Sequence, residues 1–184
     1  MMTADRDFFA CVNAINAGGV VVHATEGVFG LACGVDHPAA VERISNLKGR
    51  DPNASPFLVL VGDLQQVSGL VSLEVPFLEE IEASWPGAVT WIFPEKSINY
   101  PWLGGVDGSL GVRMTAHAQA RDLALAAGPL VSTSANRHGD PAALSIDAAQ
   151  QYFGSSVECY LDGSLLTPGQ PSQIRHASTG ARLR

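Results

Sequence analysis

The chain is poor in charge, in lysine, in cysteine and in long apolar runs, and each shortage excludes something. Charged residues make up 16% of its 184 positions and apolar residues 46%, against roughly 25% charge in an average domain. Disorder driven by excess charge is therefore excluded. The longest apolar stretches, Val20-Val21-Val22 and Phe57-Leu58-Val59-Leu60-Val61, fall far short of the roughly 20 residues that a membrane-spanning helix needs. The opening Met1-Met2-Thr3-Ala4-Asp5-Arg6-Asp7 has acids where a secretory leader is basic, and no apolar segment follows, so a cytoplasmic location is expected. With 19 glycines and 11 prolines the chain is not of low complexity either, and a mass of 19.3 kDa lets one core bury roughly 70% of the unfolded surface.

Cysteine is limited to Cys11, Cys33 and Cys159, an odd and widely spaced set that spells neither a disulfide framework nor a Cys-x-x-Cys site. They read as small core residues. The five histidines lack His-x-x-x-His spacing and the acids lack calcium-loop spacing, so no protein-held metal is expected. A net charge of −7 argues against a coat for nonspecific nucleic-acid binding. The segment from Leu166 to Arg184 is free of acids and holds Arg175, Arg182 and Arg184. This basic tail could approach RNA or phosphate, although a solvated terminus is the simpler reading.

What is present is an alternation of two periodicities. Phe8, Cys11, Val12 and Ile15 recur at helical spacing and stop at Gly18-Gly19, before the β-branched Val20-Val21-Val22. Asp36-His37-Pro38 starts a helix carrying Val41, Ile44 and Leu47, which ends at Lys48-Gly49. A buried strand spans Phe57 to Val61, and Asp63 caps the helix after it. Pro76 opens a helix with Leu78 and Ile81, ended by Trp85-Pro86-Gly87 before the strand Val89, Trp91, Phe93. After a glycine-rich loop at 104, 105 and 108, Ser109 to Thr115 alternates: Leu110, Val112 and Met114 share one face, Ser109, Gly111 and Arg113 the other. Thr115 caps an alanine-rich helix stopped by Gly128-Pro129, the strand Leu130-Val131 follows, and a helix from Ser145 to Gly154 precedes Val157, Cys159 and Leu161. Without repeat or interior linker, this predicts one α/β domain over residues 1–184, with a mixed parallel and antiparallel sheet because several connections are too short for a helical crossover.

Four places could carry chemistry. Lys48-Gly49-Arg50 sets a point charge and a planar fork around a glycine, a pattern that can grip a polyphosphate. By itself the pair reads more simply as charge complementing a helix C-terminus. Ser132-Thr133-Ser134-Ala135-Asn136 directly follows a strand, where α/β sheets commonly bind ligands, and offers more hydroxyl and amide donors than one helix cap requires. Arg113 lies on the polar face of an apolar strand and needs an anionic partner, which pattern alone makes a protein carboxylate. Thr25-Glu26-Gly27-Val28-Phe29-Gly30 reads alone as a turn. No Gly-x-x-x-x-Gly-Lys-Ser/Thr, Gly-x-Gly-x-x-Gly or Gly-x-Ser-x-Gly occurs, so phosphate binding here needs another design.

Taken in order, Ala24 to Leu31, Leu47-Lys48-Gly49-Arg50, Trp85-Pro86-Gly87-Ala88-Val89-Thr90, Leu110-Gly111-Val112-Arg113 and Val131 to Asn136 resemble the YrdC/TsaC family, the threonylcarbamoyl-AMP synthases, over nearly the whole chain. The length resembles the short bacterial form, without the extra C-terminal domain of longer relatives. The resemblance implies a twisted open α/β sheet flanked by helices, with a basic concave cavity. There ATP, L-threonine and bicarbonate become threonylcarbamoyl-adenylate and pyrophosphate, for modification of an adenosine in tRNA. It implies that Lys48, Arg50, Ser132, Thr133, Ser134 and Asn136 surround the nucleotide, and that Thr25 and Arg113 lie near threonine or its carbamate. Ser172, in Pro171-Ser172-Gln173-Ile174, matches a tail serine that closes over the cavity. Magnesium is expected to arrive with ATP.

Implied partners are weakly bound tRNA or double-stranded RNA and the later-acting tRNA threonylcarbamoyl transfer proteins. Four places depart from the family pattern: Ala24 for proline, Gly27 where longer relatives have threonine, Asp51 for proline, and Arg137-His138 after Asn136. They bear on threonine binding more than on nucleotide binding. Two rival readings are a YciO-like paralogue that binds RNA or nucleotide without the activity, and a carbamoyl-transfer module of hydrogenase maturation. The intact Lys-x-Arg and Ser-x-Ser-Ala-Asn patterns weigh against the first, and the short chain against the second.

Overall fold

The computed structural model describes residues 3–50, 57–97, 99–105 and 107–184. Its elements in chain order are α1 (Thr3–Asn16), β1 (Val21–Ala24), β2 (Phe29–Gly34), α2 (Pro38–Lys48), β3 (Leu58–Val61), α3 (Leu64–Leu70), α4 (Leu78–Ser84), β4 (Val89–Phe93), β5 (Leu110–Met114), α5 (Ala118–Ala127), β6 (Leu130–Ser134), α6 (Ile146–Phe153), β7 (Cys159–Leu161) and β8 (Gln173–His176). Eight strands form one sheet in the order β7-β1-β2-β6-β3-β5-β4-β8. The sheet is mixed as expected: β1–β7, β3–β5 and β4–β8 are parallel, and the other four pairings are antiparallel. Among the described residues, no helix is long and apolar enough to cross a membrane.

Register divides the side chains between two unequal faces, because cross-strand partners point the same way. On one face Val22, Leu31, Val131, Val59, Val112, Trp91 and Phe93 build the larger core with Ile44 of α2, Val67 of α3, Ile81 of α4 and Phe153 of α6. On the other, Val21, Ala32, Leu130 and Leu60 form a smaller core under α1 and α5, with Cys11, Ile15, Leu123 and Ala124. These two helices cover only part of that face. The rest carries Gly30, Ser132, Leu58, Gly111, Arg113, Thr90 and Ile174, and there a cavity opens.

The structure corrects four sequence expectations. The strand expected at Leu130-Val131 runs on to Ser134, so Ser132, Thr133 and Ser134 lie within β6 and not after it. Cys11 and Cys159 are joined in a disulfide, because β7 pairs with β1 beneath α1 and so brings together residues 148 positions apart, and only Cys33 stays a free buried thiol. Thr115 does not cap α5: His117 does, its Nδ1 accepting from the Ala120 N–H at 3.2 Å, while the Thr115 hydroxyl turns to Glu26. The basic tail is a solvated terminus only in part: residues 181–184 are exposed, but β8 closes one edge of the sheet beside β4 and Arg175 lies over the Trp91 ring at 5.7 Å.

Candidate active site

The cavity measures about 440 Å³, within the roughly 300–1,000 Å³ range of small-ligand sites. Two glycines keep its floor low. A Cβ on Gly30 would lie 3.2 Å from Ser132 Oγ, and one on Gly111 would lie 3.2 Å from Ile92 Cδ1. Of the sequence-derived site residues, Thr25, Arg50, Arg113, Ser132, Thr133, Ser134 and Ser172 line the cavity. Lys48 and Asn136 stand one layer behind.

That second layer is tightly bonded. The Lys48 ammonium donates to Ser134 O at 2.7 Å, Asn136 O at 2.9 Å and Asn136 Oδ1 at 3.1 Å. Asn136 Oδ1 also accepts from the Ser134 hydroxyl at 2.6 Å, and its Nδ2 donates to Arg137 O and Asp140 O. The Lys48 carbonyl accepts from His138 N, so the departure Arg137-His138 lies in the loop that α2 pins. Only 4% of Lys48 is exposed, and burial, followed by the neighbouring Arg50 charge, brings its pKa down to about 8. Arg50 lies over the Phe57 ring at 5.0 Å, its pKa lowered by burial. Asp51 is outside the described residues.

Sequence reading missed two contributors to this site. Arg184 lines the cavity and turns back on the tail, its Nε donating to Ser172 O at 3.2 Å and its Nη2 to Ser172 Oγ at 3.3 Å. Only the run of arginines after Leu166 hinted at it. The other is Glu26, the carboxylate partner that Arg113 required: Glu26 Oε2 is 3.4 Å from Arg113 Nη2, both side chains being buried. Its signal was an acid at a strand end, hidden in what read as a turn. Burial works against the ionised Glu26 carboxylate, but Arg113, the Thr115 hydroxyl and nearby backbone donors together hold its pKa below the ordinary value. Thr25, by contrast, uses its hydroxyl in the turn, donating to Val28 O at 2.7 Å.

The tail forms one wall. Thr167 N donates to Glu26 O at 2.7 Å and Gly169 N to Gly27 O at 2.8 Å, fastening residues 167–172 across the turn between β1 and β2. A Cβ on Gly27 would lie 2.0 Å from Gln170 O, closer than atoms can approach, so glycine at this departure is what lets the tail lie down. Ser172 is 8% exposed, with Thr90 Oγ1 3.3 Å from its hydroxyl. Chemically, the assembled cavity joins hydroxyl groups and apolar side chains to three arginines, Arg50, Arg113 and Arg184, and among the described residues no acid lines it. In a chain of net charge −7, such a cavity selects anions.

Comparison with known proteins agrees. The family model Sua5_yciO_yrdC, described as telomere recombination, matches residues 13–184. A threonylcarbamoyl-AMP synthase of Nitrosococcus oceani is 43% identical over 171 residues, 92% of either chain. The crystal structure of P. abyssi Sua5 complexed with L-threonine superposes with a TM-score of 0.83 at 30% identity, over 96% of this chain and 52% of that one, so the present chain spans about half of Sua5. E. coli YciO, at 22% identity and a TM-score of 0.81 over 100% of this chain and 89% of that one, shares the fold. With its sheet, its motifs and nearly its whole length matched in this way, the chain belongs to the Sua5/YciO/YrdC family.

Proposed function

We propose that the protein is a threonylcarbamoyl-AMP synthase, a nucleotidyltransferase that makes threonylcarbamoyl-adenylate and pyrophosphate from L-threonine, bicarbonate or CO2, and ATP, in service of tRNA modification. Residues 1–184 act in it as one domain. The observation that carries this reading is the cavity with three arginines and no lining acid among the described residues. A triphosphate and an amino-acid carboxylate together need that excess of positive charge. The curated relative of N. oceani bears the synthase name, and P. abyssi Sua5 holds L-threonine.

The threonine amine adds to CO2 and releases a proton, giving a carbamate. One carbamate oxygen then attacks the α-phosphorus, and the bond to the β-phosphate breaks as pyrophosphate leaves. No nucleophilic side chain is required; positioning and charge neutralisation suffice. Arg50 and the Ser132 and Thr133 hydroxyls serve the phosphates, with Lys48, Ser134 and Asn136 holding the loop that presents them. Arg113 serves the threonine carboxylate or carbamate, Thr25 shapes that end, and Ser172 with Arg184 forms the covering wall. Because no carboxylate lines the cavity among the described residues, magnesium would arrive on the phosphates of ATP rather than in a cage of protein carboxylates.

Pyrophosphate release measured with each substrate omitted in turn tests the reading. Release is expected to need both L-threonine and bicarbonate and to proceed without tRNA. Serine should substitute in part, since one methyl group discriminates by roughly 1–3 kcal/mol. Equal release without threonine, or ADP as the product, would contradict the assignment.

A further inference from the structure

We propose that Glu26 is the positioning residue for Arg113, holding its guanidinium charged and aimed while leaving part of it unspent for a substrate carboxylate or carbamate. The inference rests on the synthase reading and adds a residue to the same site.

Arg113 stands on the cavity face of β5 with 7% of its surface exposed, and a guanidinium buried that deeply requires a counter-charge. Among the described residues, Glu26 alone supplies it within 4 Å. The geometry of the pair is lopsided. Glu26 Oε1 accepts two hydrogen bonds, from Thr115 Oγ1 at 2.8 Å and from Ala116 N at 3.0 Å. Oε2 stands 3.4 Å from Arg113 Nη2 and accepts no hydrogen bond, and Arg113 Nε donates none. A structural arginine–carboxylate pair normally closes as a two-pronged fork that uses both oxygens and two N–H groups.

Here the carboxylate is fastened instead to Thr115 and Ala116, two and three residues beyond Arg113 and just past the end of β5, so the two groups are tied to one short segment. Arg113 obtains its compensating charge without surrendering its donors. An incoming carboxylate can then complete the fork from the cavity side. Thr25 and Gly27, which flank Glu26, themselves line the cavity, so the acid reaches Arg113 from behind the wall and does not compete for substrate space. Losing the carboxylate would have two effects: Arg113 would lose its aim, and the cavity would become more positive. Threonine binding should suffer, whereas ATP binding should hold or improve, a split that general damage to the fold does not produce.

The test is pyrophosphate release at varied threonine and varied ATP for the parent, Glu26→Gln, Arg113→Lys and the double variant. In Glu26→Gln the threonine KM should rise roughly tenfold or more, as expected for a displaced binding group, with the ATP KM unchanged or lower. Adding Glu26→Gln to Arg113→Lys should cost little further, because the first acts through the second. A parent-like threonine KM in Glu26→Gln, or losses that add in the double variant, overturns the role of Glu26. Should Glu26→Gln not fold, Glu26→Asp retains the charge one methylene farther away. Its threonine KM should lie above the parent's at an unchanged ATP KM, and a parent-like value there overturns the proposal too. A parent that releases no pyrophosphate with threonine and bicarbonate overturns the synthase reading and this inference with it, an outcome distinct from a working parent with an indifferent variant.

Discussion

Lys48 holds its charge under unusual terms: among the described residues, its ammonium meets two backbone carbonyls and one amide oxygen, and no carboxylate. Burial penalises the ammonium, and an arriving phosphate would offset that penalty. Replacement by methionine should therefore do two things. It should weaken ATP binding, and it should destabilise the fold by roughly 1–3 kcal/mol through the acceptors left unpaired in the Ser134–Asn136 loop, seen as a lower urea midpoint. The pH dependence has a definite sign. With the folded pKa depressed to about 8 from 10.5, the folded protein sheds this proton first, so stability rises with pH between those values while the charge available to phosphate disappears. ATP affinity measured by calorimetry from pH 7 to 9.5, at about 25 °C, should fall through about 8, and an affinity flat across that range would separate Lys48 from the phosphates.

At the level of elements, the tail crosses the β1–β2 turn on two backbone hydrogen bonds and a contact that only glycine permits. Gly27→Ala should lift residues 167–172 off the turn, expose the Thr167 and Gly169 amides to faster hydrogen exchange, and lower turnover, with the central strands β3, β5 and β6 still protected. Unchanged exchange at those two amides would show that the tail does not depend on the close approach. Little of this arrangement was legible beforehand. The helices α1, α2 and α5, the strands β3, β4 and β5, and the two faces of β5 followed from plain periodicity, so Arg113 was found on its polar face. In β2 the sequence Phe29-Gly30-Leu31-Ala32-Cys33-Gly34 is buried on both sides and does not alternate, and β8 is a short, half-buried Gln173-Ile174-Arg175-His176, so neither carried a strand signal. Hydroxyl-rich Ser132 to Asn136 was expected just after a strand, whereas β6 carries its first three residues, and that Ser134 and Asn136 are spent on Lys48 depends on contacts 86 and 88 residues apart, which no local pattern encodes. The same holds for Glu26, which meets its partners 87 to 90 positions downstream.

For the molecule as a whole, acid stability should turn on His23. It is fully buried on the cavity face of β1, its Nδ1 donates to Ala24 O at 3.0 Å and its Nε2 has no partner. Burial first of all, reinforced by the His117 and Arg113 charges, takes its pKa down to about 4. A depressed value means that stability present above the unfolded value of about 6.5 is lost as pH falls toward 4, to the extent of roughly 3 kcal/mol. Glu26, also depressed, adds to the loss below its own ordinary value. The thermal midpoint should drop across this interval, and His23→Gln should flatten the drop; a parent-like slope in that variant would place the acid sensitivity elsewhere.

The strand order carries a consequence for how the chain is made. Both edges of the sheet, β7 and β8, come from residues 159–176, and every interior strand precedes them. As synthesis proceeds from the N-terminus, the six inner strands leave the ribosome with two unpaired flanks, open to neighbouring chains. Cys11 likewise waits for a partner made 148 residues later. The wall of the cavity and both seals of the sheet are delivered together, after every interior strand, so the nascent domain closes its edges and completes its cavity in the same late step.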